Sequence, residues 1–179
     1  MDNATAVENK IAEMEDTFSL VMIAERWDES VILLKDLLCW EFRDVVNFKL
    51  NARKDSKKIP LSEGARAALQ EYLAADYKLY NHFKNKFEIQ VRKFGERKME
   101  QELGTLRLAN TNMKERCSIN KVDNDKVSGH NKLWGQGVLA YTAGKEAQDK
   151  ECKWFTTSEM SFIDHLREVQ GERARKLLL

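Results

Sequence analysis

Residues 18–53 run FSLVMIAERWDESVILLKDLLCWEFRDVVNFKLNAR, from Phe18 to Arg53, and the reading of this stretch decides the fold. Phe18 to Ala24 is a short, nearly continuous apolar run, the pattern of a strand buried on both faces in a parallel sheet. It gives way to the polar turn Glu25-Arg26-Trp27-Asp28-Glu29. From Ser30 to Trp40 apolar residues recur at helical spacing. Val31, Leu34 and Leu38 make one stripe, and Leu33, Leu37 and Trp40 widen it. Asp28 or Ser30 is the expected N-cap, and the acidic cluster suits the positive end of the helix dipole. Val45 to Leu50 is a second expected strand, with Val46, Phe48 and Leu50 on one face. Strand, polar turn, helix and strand make an α/β unit.

Downstream, Asn51 to Lys58 is a polar, basic loop, and the single proline, Pro60, precedes Ser62, where a helix is expected to start. Residues 62–113 are helical in pattern. Leu69, Leu73, Tyr77, Tyr80, Phe83, Phe87, Val91 and Phe94 recur at three- and four-residue steps, and Leu103 and Leu106 extend the stripe. A helix this long should break, and the expected places are Asn81 to Lys86 and Gly95. Residues 110–132 read as a loop, Val138 to Tyr141 as a short strand and Ala143 to Lys153 as polar chain. Residues 158–172 read as a final helix capped by Ser158, with Met160, Ile163, Leu166 and Val169 as its stripe.

With 179 residues, 42% hydrophobic and 33% charged, the composition is that of one soluble globular domain. Thirty basic residues against 29 acidic ones argue against a nucleic-acid binder, though not against a local basic pocket such as one around Arg53 to Lys58. No apolar run approaches the roughly 20 residues that cross a bilayer, and the first residues form neither a signal peptide nor an anchor. The three cysteines lack metal-ligand spacing, so no metal site is expected. Cys39 reads as a buried free thiol. Cys117 and Cys152 are the two that could pair in an oxidising compartment. Asn3-Ala4-Thr5 is a glycosylation sequon.

Familiar catalytic signatures are missing. There is no GxxxxGK[ST] phosphate loop, GxGxxG, GxSxG or HExxH, so a nucleotide has no main site here. The strongest candidates are Glu25, Asp28 and Glu29, since ligands of open α/β sheets bind at the carboxyl ends of strands and a carboxylate there can orient a hydroxyl or take its proton. Helix capping and solvated charge are the competing explanation. Asp76 and His82, on the aromatic helix, are further candidates for a cleft.

Several runs in residues 18–53 carry a resemblance. Trp27-Asp28-Glu29-Ser30, LLKDLLCW over Leu33 to Trp40, and FKLNAR over Phe48 to Arg53 occur in the order of the galactose-3-O-sulfotransferase family, galactosylceramide sulfotransferase included. Thinner likeness continues through Asp76, His82-Phe83, Phe94-Gly95 and Leu106-Arg107 to Cys152 and Gln170. Arg26-Trp27 and Tyr77 depart from the family's aromatic pattern.

The resemblance implies an α/β fold for residues 1–179, the C-terminal part of a P-loop-like sulfotransferase domain with a few parallel strands under helical cover. It implies transfer of sulfonate from 3'-phosphoadenosine-5'-phosphosulfate (PAPS) to the 3-hydroxyl of galactose on a glycolipid or glycoprotein glycan, at the lumenal side of the Golgi membrane. The family's donor loop, base and anchor are expected in an N-terminal half that no residue here matches. The chain alone is therefore expected to be inactive, with Glu25, Asp28, Glu29, Asp76 and His82 on the acceptor side. The alternatives are a non-catalytic carbohydrate-binding or remnant module of the same fold and, third, an unrelated helical interaction protein.

Overall fold

The computed structural model describes residues 3–50, 52–144 and 149–177. The side chains of Asn3 and Ala4 and the whole of Asn51 lie outside the described residues, and with them the sequon's acceptor side chain. The chain divides into two compact units, Met1–Val46 with Pro60–Ala109, and Asn47–Ile59 with Asn110–Leu179.

The first unit is helical. It holds α1 (Asn3–Thr17), α2 (Trp27–Leu37), α3 (Phe42–Val45), α4 (Glu63–Tyr72), α5 (Ala74–Phe94) and α6 (Glu96–Arg116) as far as Ala109. Its core joins Ile23, Val31, Ile32 and Val45 to Phe87, Val91, Met99 and Leu106. Phe83, Phe87 and Val91 fall four residues apart, so they line one face of α5 and are buried together. Ser62 starts α4 by accepting a hydrogen bond from the Ala65 amide, 3.2 Å. The helical run breaks at Leu73 and at Gly95, whose φ of 99° suits a residue without Cβ. Asn81 to Lys86 stay inside α5, because buried Phe83 holds that turn against the rest of the unit. Beneath α2, Lys35 pairs with Glu102 (2.8 Å) while its ammonium lies 4.5 Å from the Phe42 ring centre.

Three further expectations fail in this unit. Phe18 to Ile23 is not a strand, and Ala24–Arg26 is a 3-10 turn leading into α2. The apolar run is explained instead by a polar closure: the Ser30 hydroxyl accepts from the Ile23 amide (3.0 Å) and donates to the Ile23 carbonyl (3.1 Å), satisfying the groups a neighbouring strand would have used. Ser30 is consequently buried inside α2, and neither it nor Asp28 caps that helix, which begins at Trp27. Cys39 is exposed, because α2 ends at Leu37 and the chain turns through a left-handed Cys39 (φ 53°).

The second unit holds a three-stranded sheet, β1 (Ala52–Arg53), β2 (Asn120–Asp123) and β3 (Val138–Thr142), in the order β1-β3-β2. Both pairings are antiparallel, with Ala52 opposite Leu139 and Val122 opposite Ala140. The parallel pairing expected from residues 18–50 is therefore replaced, among the described residues, by an antiparallel sheet from a later part of the chain. Val46 to Lys49 makes no ladder. The Asn47 amide donates to Asn110 Oδ1 (3.1 Å), and Phe48 packs its ring against Tyr141 and Phe155, with centroids 5.8 and 5.5 Å away. The stretch expected to be loop holds β2, and the polar stretch after Ala143 holds α7 (Lys150–Thr156), capped by Asp149 through the Glu151 amide. Helix α8 (Glu159–Leu177) follows, with the Ser158 hydroxyl accepting from the Ser161 amide.

A disulfide joins Cys117 to Cys152, both buried, with Cα atoms 5.3 Å apart. No helix among the described residues is long and apolar enough to cross a membrane.

Candidate functional site

The turn that the sequence singles out, Ala24–Arg26 leading into α2, stands at the mouth of an open cleft of about 550 Å³ in the first unit. Arg26 reaches it from the turn, Glu29 from the start of α2, Glu88 and Arg92 from α5, and Glu96, Glu100 and Arg107 from α6. Val91, Met99 and Leu103 make its apolar floor. This floor is an open side of the core itself, since Val91 and Met99 belong to the core and Leu103 packs against it.

Arg26 and Glu29 lie one helical turn apart and form a two-pronged ion pair, Nε to Oε2 and Nη2 to Oε1. The guanidinium also lies 5.6 Å from the Phe87 ring centre. Hydrogen bonding to Glu29 raises the Arg26 pKa above its ordinary value, against the opposing effect of burial, with the charges of Glu29 and Glu88 adding to the rise. Asp28 lies 3.6 Å from Arg107 Nε. Glu25, exposed, accepts a hydrogen bond from the Tyr80 hydroxyl at 3.2 Å. Arg92 is exposed and has no ion-pair partner among the described residues.

The sequence candidates separate. Glu29 lines the cleft, and Asp28 is linked to it through Arg107. Asp76 and His82 are not among its lining residues. Asp76 is exposed on the first turn of α5, and His82 Nε2 faces Glu15 at 3.1 Å on α1, with its ring edge against Phe83. The arginines were not singled out by sequence reasoning. Arg26 was within the quoted turn, but Arg92 and Arg107 join it only through the packing of α5 and α6, which leaves no local signal. Guanidinium donors beside carboxylate acceptors suit a ligand rich in hydroxyls, or one that carries a single anionic group. Among the described residues no cluster of three metal-ligating side chains occurs.

Against known proteins, a profile described as galactose-3-O-sulfotransferase matches residues 1–148, which contain the turn, the cleft and the sheet. The chain belongs to the galactose-3-O-sulfotransferase family. It is 34% identical to the galactosylceramide sulfotransferase of Homo sapiens over 167 residues, which is 88% of this chain and 40% of that protein. It is 40% identical to galactose-3-O-sulfotransferase 3 of Homo sapiens over 117 residues, 65% of this chain and 27% of the relative. Galactose-3-O-sulfotransferase 2 of Homo sapiens matches at 34% over 140 residues, 78% and 34% respectively. The chain thus spans about 40% of the length of the galactosylceramide sulfotransferases it matches. No solved structure matches it.

Proposed function

We propose that this chain supplies the acceptor side of a sulfotransferase that moves sulfonate from PAPS to the 3-hydroxyl of galactose on a glycolipid or a glycoprotein glycan. The observation that carries the reading is the family match over residues 1–148, which encloses the Arg26–Glu29 cleft. In the reaction the galactose oxygen bonds to sulfur as the bond from sulfur to the donor's phosphate oxygen breaks, and the hydroxyl proton passes to a base. Glu29 holds acceptor hydroxyls in the cleft, Arg26 and Arg92 donate to the acceptor's ring and linkage oxygens, and Asp28 and Glu25, outside the cleft lining, are further acceptor-side candidates. Asp76 and His82 enter only for an acceptor long enough to extend along α5.

Donor binding and the base fall to residues of a family-length polypeptide outside the match, since no phosphate loop occurs in these 179 residues. The P-loop-like core with its parallel strands would lie there too, as would a membrane anchor. A buried disulfide supports an oxidising compartment, in keeping with the Golgi lumen. In such a lumen Asn3-Ala4-Thr5 would be a candidate glycosylation sequon.

The test has two arms. With labelled PAPS and a galactose-terminated acceptor, the isolated chain should show no transfer, and turnover by it would refute the division of labour. Titration with a β-galactoside, followed by NMR, should shift the amides of Arg26, Glu29 and Arg92, and Glu29→Gln should weaken the effect. Unshifted amides would remove the acceptor role. The missing phosphate loop also favours a second reading, a galactose-binding module without turnover. Adding the rest of a family-length polypeptide in trans separates the two, because only the enzyme reading gains activity.

A further inference from the structure

Trp134 is 93% exposed, the most exposed of the large apolar side chains among the described residues. Its backbone is nevertheless firmly held. Asn124, 1% exposed, accepts from the Leu133 amide (2.8 Å) and donates to the carbonyls of Leu133 (2.9 Å) and Gly135 (2.8 Å). One buried side chain therefore grips both neighbours of Trp134, while Leu133 turns inward at 7% exposure. An indole pushed into water from a clamped backbone is a fixed projection rather than a loose loop tip.

The same edge of the second unit carries a second apolar projection and a positive field. The Lys54 amide donates to the Gly137 carbonyl (2.9 Å), and the Lys57 stem lies against Gly137, so close that a Cβ there would meet Lys57 Cγ at 3.1 Å. Ile59, 86% exposed, follows Lys57 by two residues and Trp134 precedes Gly137 by three, so both exposed side chains stand within a few residues of this contact. Segments 53–59 and 120–137 together hold seven lysines and arginines against three aspartates, in a chain whose net charge is only +1. Lys54 and Lys58 engage all three aspartates. Arg53, Lys57, Lys121 and Lys126 are exposed and have no ion-pair partner among the described residues.

We propose that this edge is a docking surface for an anionic lipid bilayer, with Trp134 and Ile59 entering the headgroup layer and the surplus lysines and arginine meeting its negative charge. Tryptophan suits that depth because its ring is apolar and its N–H can remain hydrated. Basic residues near an anionic surface each add a comparable attraction, screened by salt. This is a surface contact and needs no spanning helix.

The test is co-sedimentation of the whole chain with phosphatidylcholine vesicles, with and without phosphatidylserine. Binding should require phosphatidylserine and fall as salt rises. Trp134→Ser should weaken it by about tenfold, as expected for loss of one buried large apolar side chain. Lys57→Gln and Lys121→Gln should each weaken it roughly fivefold, one basic charge apiece. Trp40→Ser, in the first unit, should leave it unchanged. Equal binding to neutral vesicles, no binding at all, or binding indifferent to Trp134→Ser would overturn the proposal. In the last case, matching affinity for heparin would identify a plain polyanion patch.

Discussion

The Ser30 hydroxyl bridges both backbone polar groups of Ile23, seven residues earlier, accepting at 3.0 Å and donating at 3.1 Å. Ile23 is 4% exposed and Ser30 is fully buried, so no water takes over if the bridge is lost. The Ile23 carbonyl keeps its bond from the Arg26 amide (3.0 Å), so Ser30→Ala orphans the Ile23 amide alone and should destabilise the protein by about 1–3 kcal/mol, the cost of one buried unsatisfied donor. Ser30→Thr, which keeps the hydroxyl, tests space separately. Denaturant unfolding measures both, and an unchanged midpoint for Ser30→Ala would mean the bridge contributes nothing.

Leu106 is fully buried on α6 and packs with Met99 and Phe87. Leu106→Ala should cost about 2–5 kcal/mol through lost burial and the cavity left behind. Because the change acts on the core rather than on unfolded-state compactness, the denaturant slope should stay constant while the midpoint falls.

The Cys117–Cys152 bridge spans 35 positions. The loop-entropy relation gives about 4 kcal/mol of stabilisation for a loop of that length. Reduction, or Cys117→Ser, should lower the thermal midpoint accordingly, and calorimetry with and without reductant reads it. Cys39→Ser should have little effect, because that thiol is exposed and unbridged.

Glu15 meets Lys86 Nζ at 2.9 Å and His82 Nε2 at 3.1 Å. These bonds, Lys86 first, hold its carboxyl below the ordinary 4.5. A carboxylate whose pKa is depressed by folding binds fewer protons folded than unfolded, so its contribution is complete above that ordinary value. It is lost as the pH falls through the lowered one. Melting temperature should drop with acid more gently in Glu15→Gln than in the unsubstituted chain below about pH 4.5. Parallel curves would show that the cluster has no linked effect.

Legibility in the sequence followed the range of the cause. The aromatic stripe of α5, the Gly95 break, the Ser62 and Ser158 caps and β3 were readable because each rests on residues within a turn or two of each other. Phe18 to Ile23 misled because an apolar run records burial, not ladder pairing, and the partner that satisfied Ile23 was a serine side chain in the following helix. Strand β2 was missed because Asn120 to Asp123 is too short and polar to signal itself and exists through its pairing with β3. In the cleft, Glu29 was legible from its place in the turn, while Arg92 and Arg107 became neighbours of Arg26 only in three dimensions.

The order of synthesis bears on the sheet. Ala52 of β1 pairs with Leu139 of β3, 87 positions later, and the central strand is the last of the three to be made. At about 5–20 residues per second, β1 leaves the ribosome roughly 4–17 s before its partner exists. The last residue of the first unit, Ala109, is made within that interval. The second cannot begin its sheet until translation has passed Thr142, nor close its disulfide until Cys152 emerges. A pause in translation between residues 142 and 152 would thus fall after the sheet's last strand is made and before its disulfide can close.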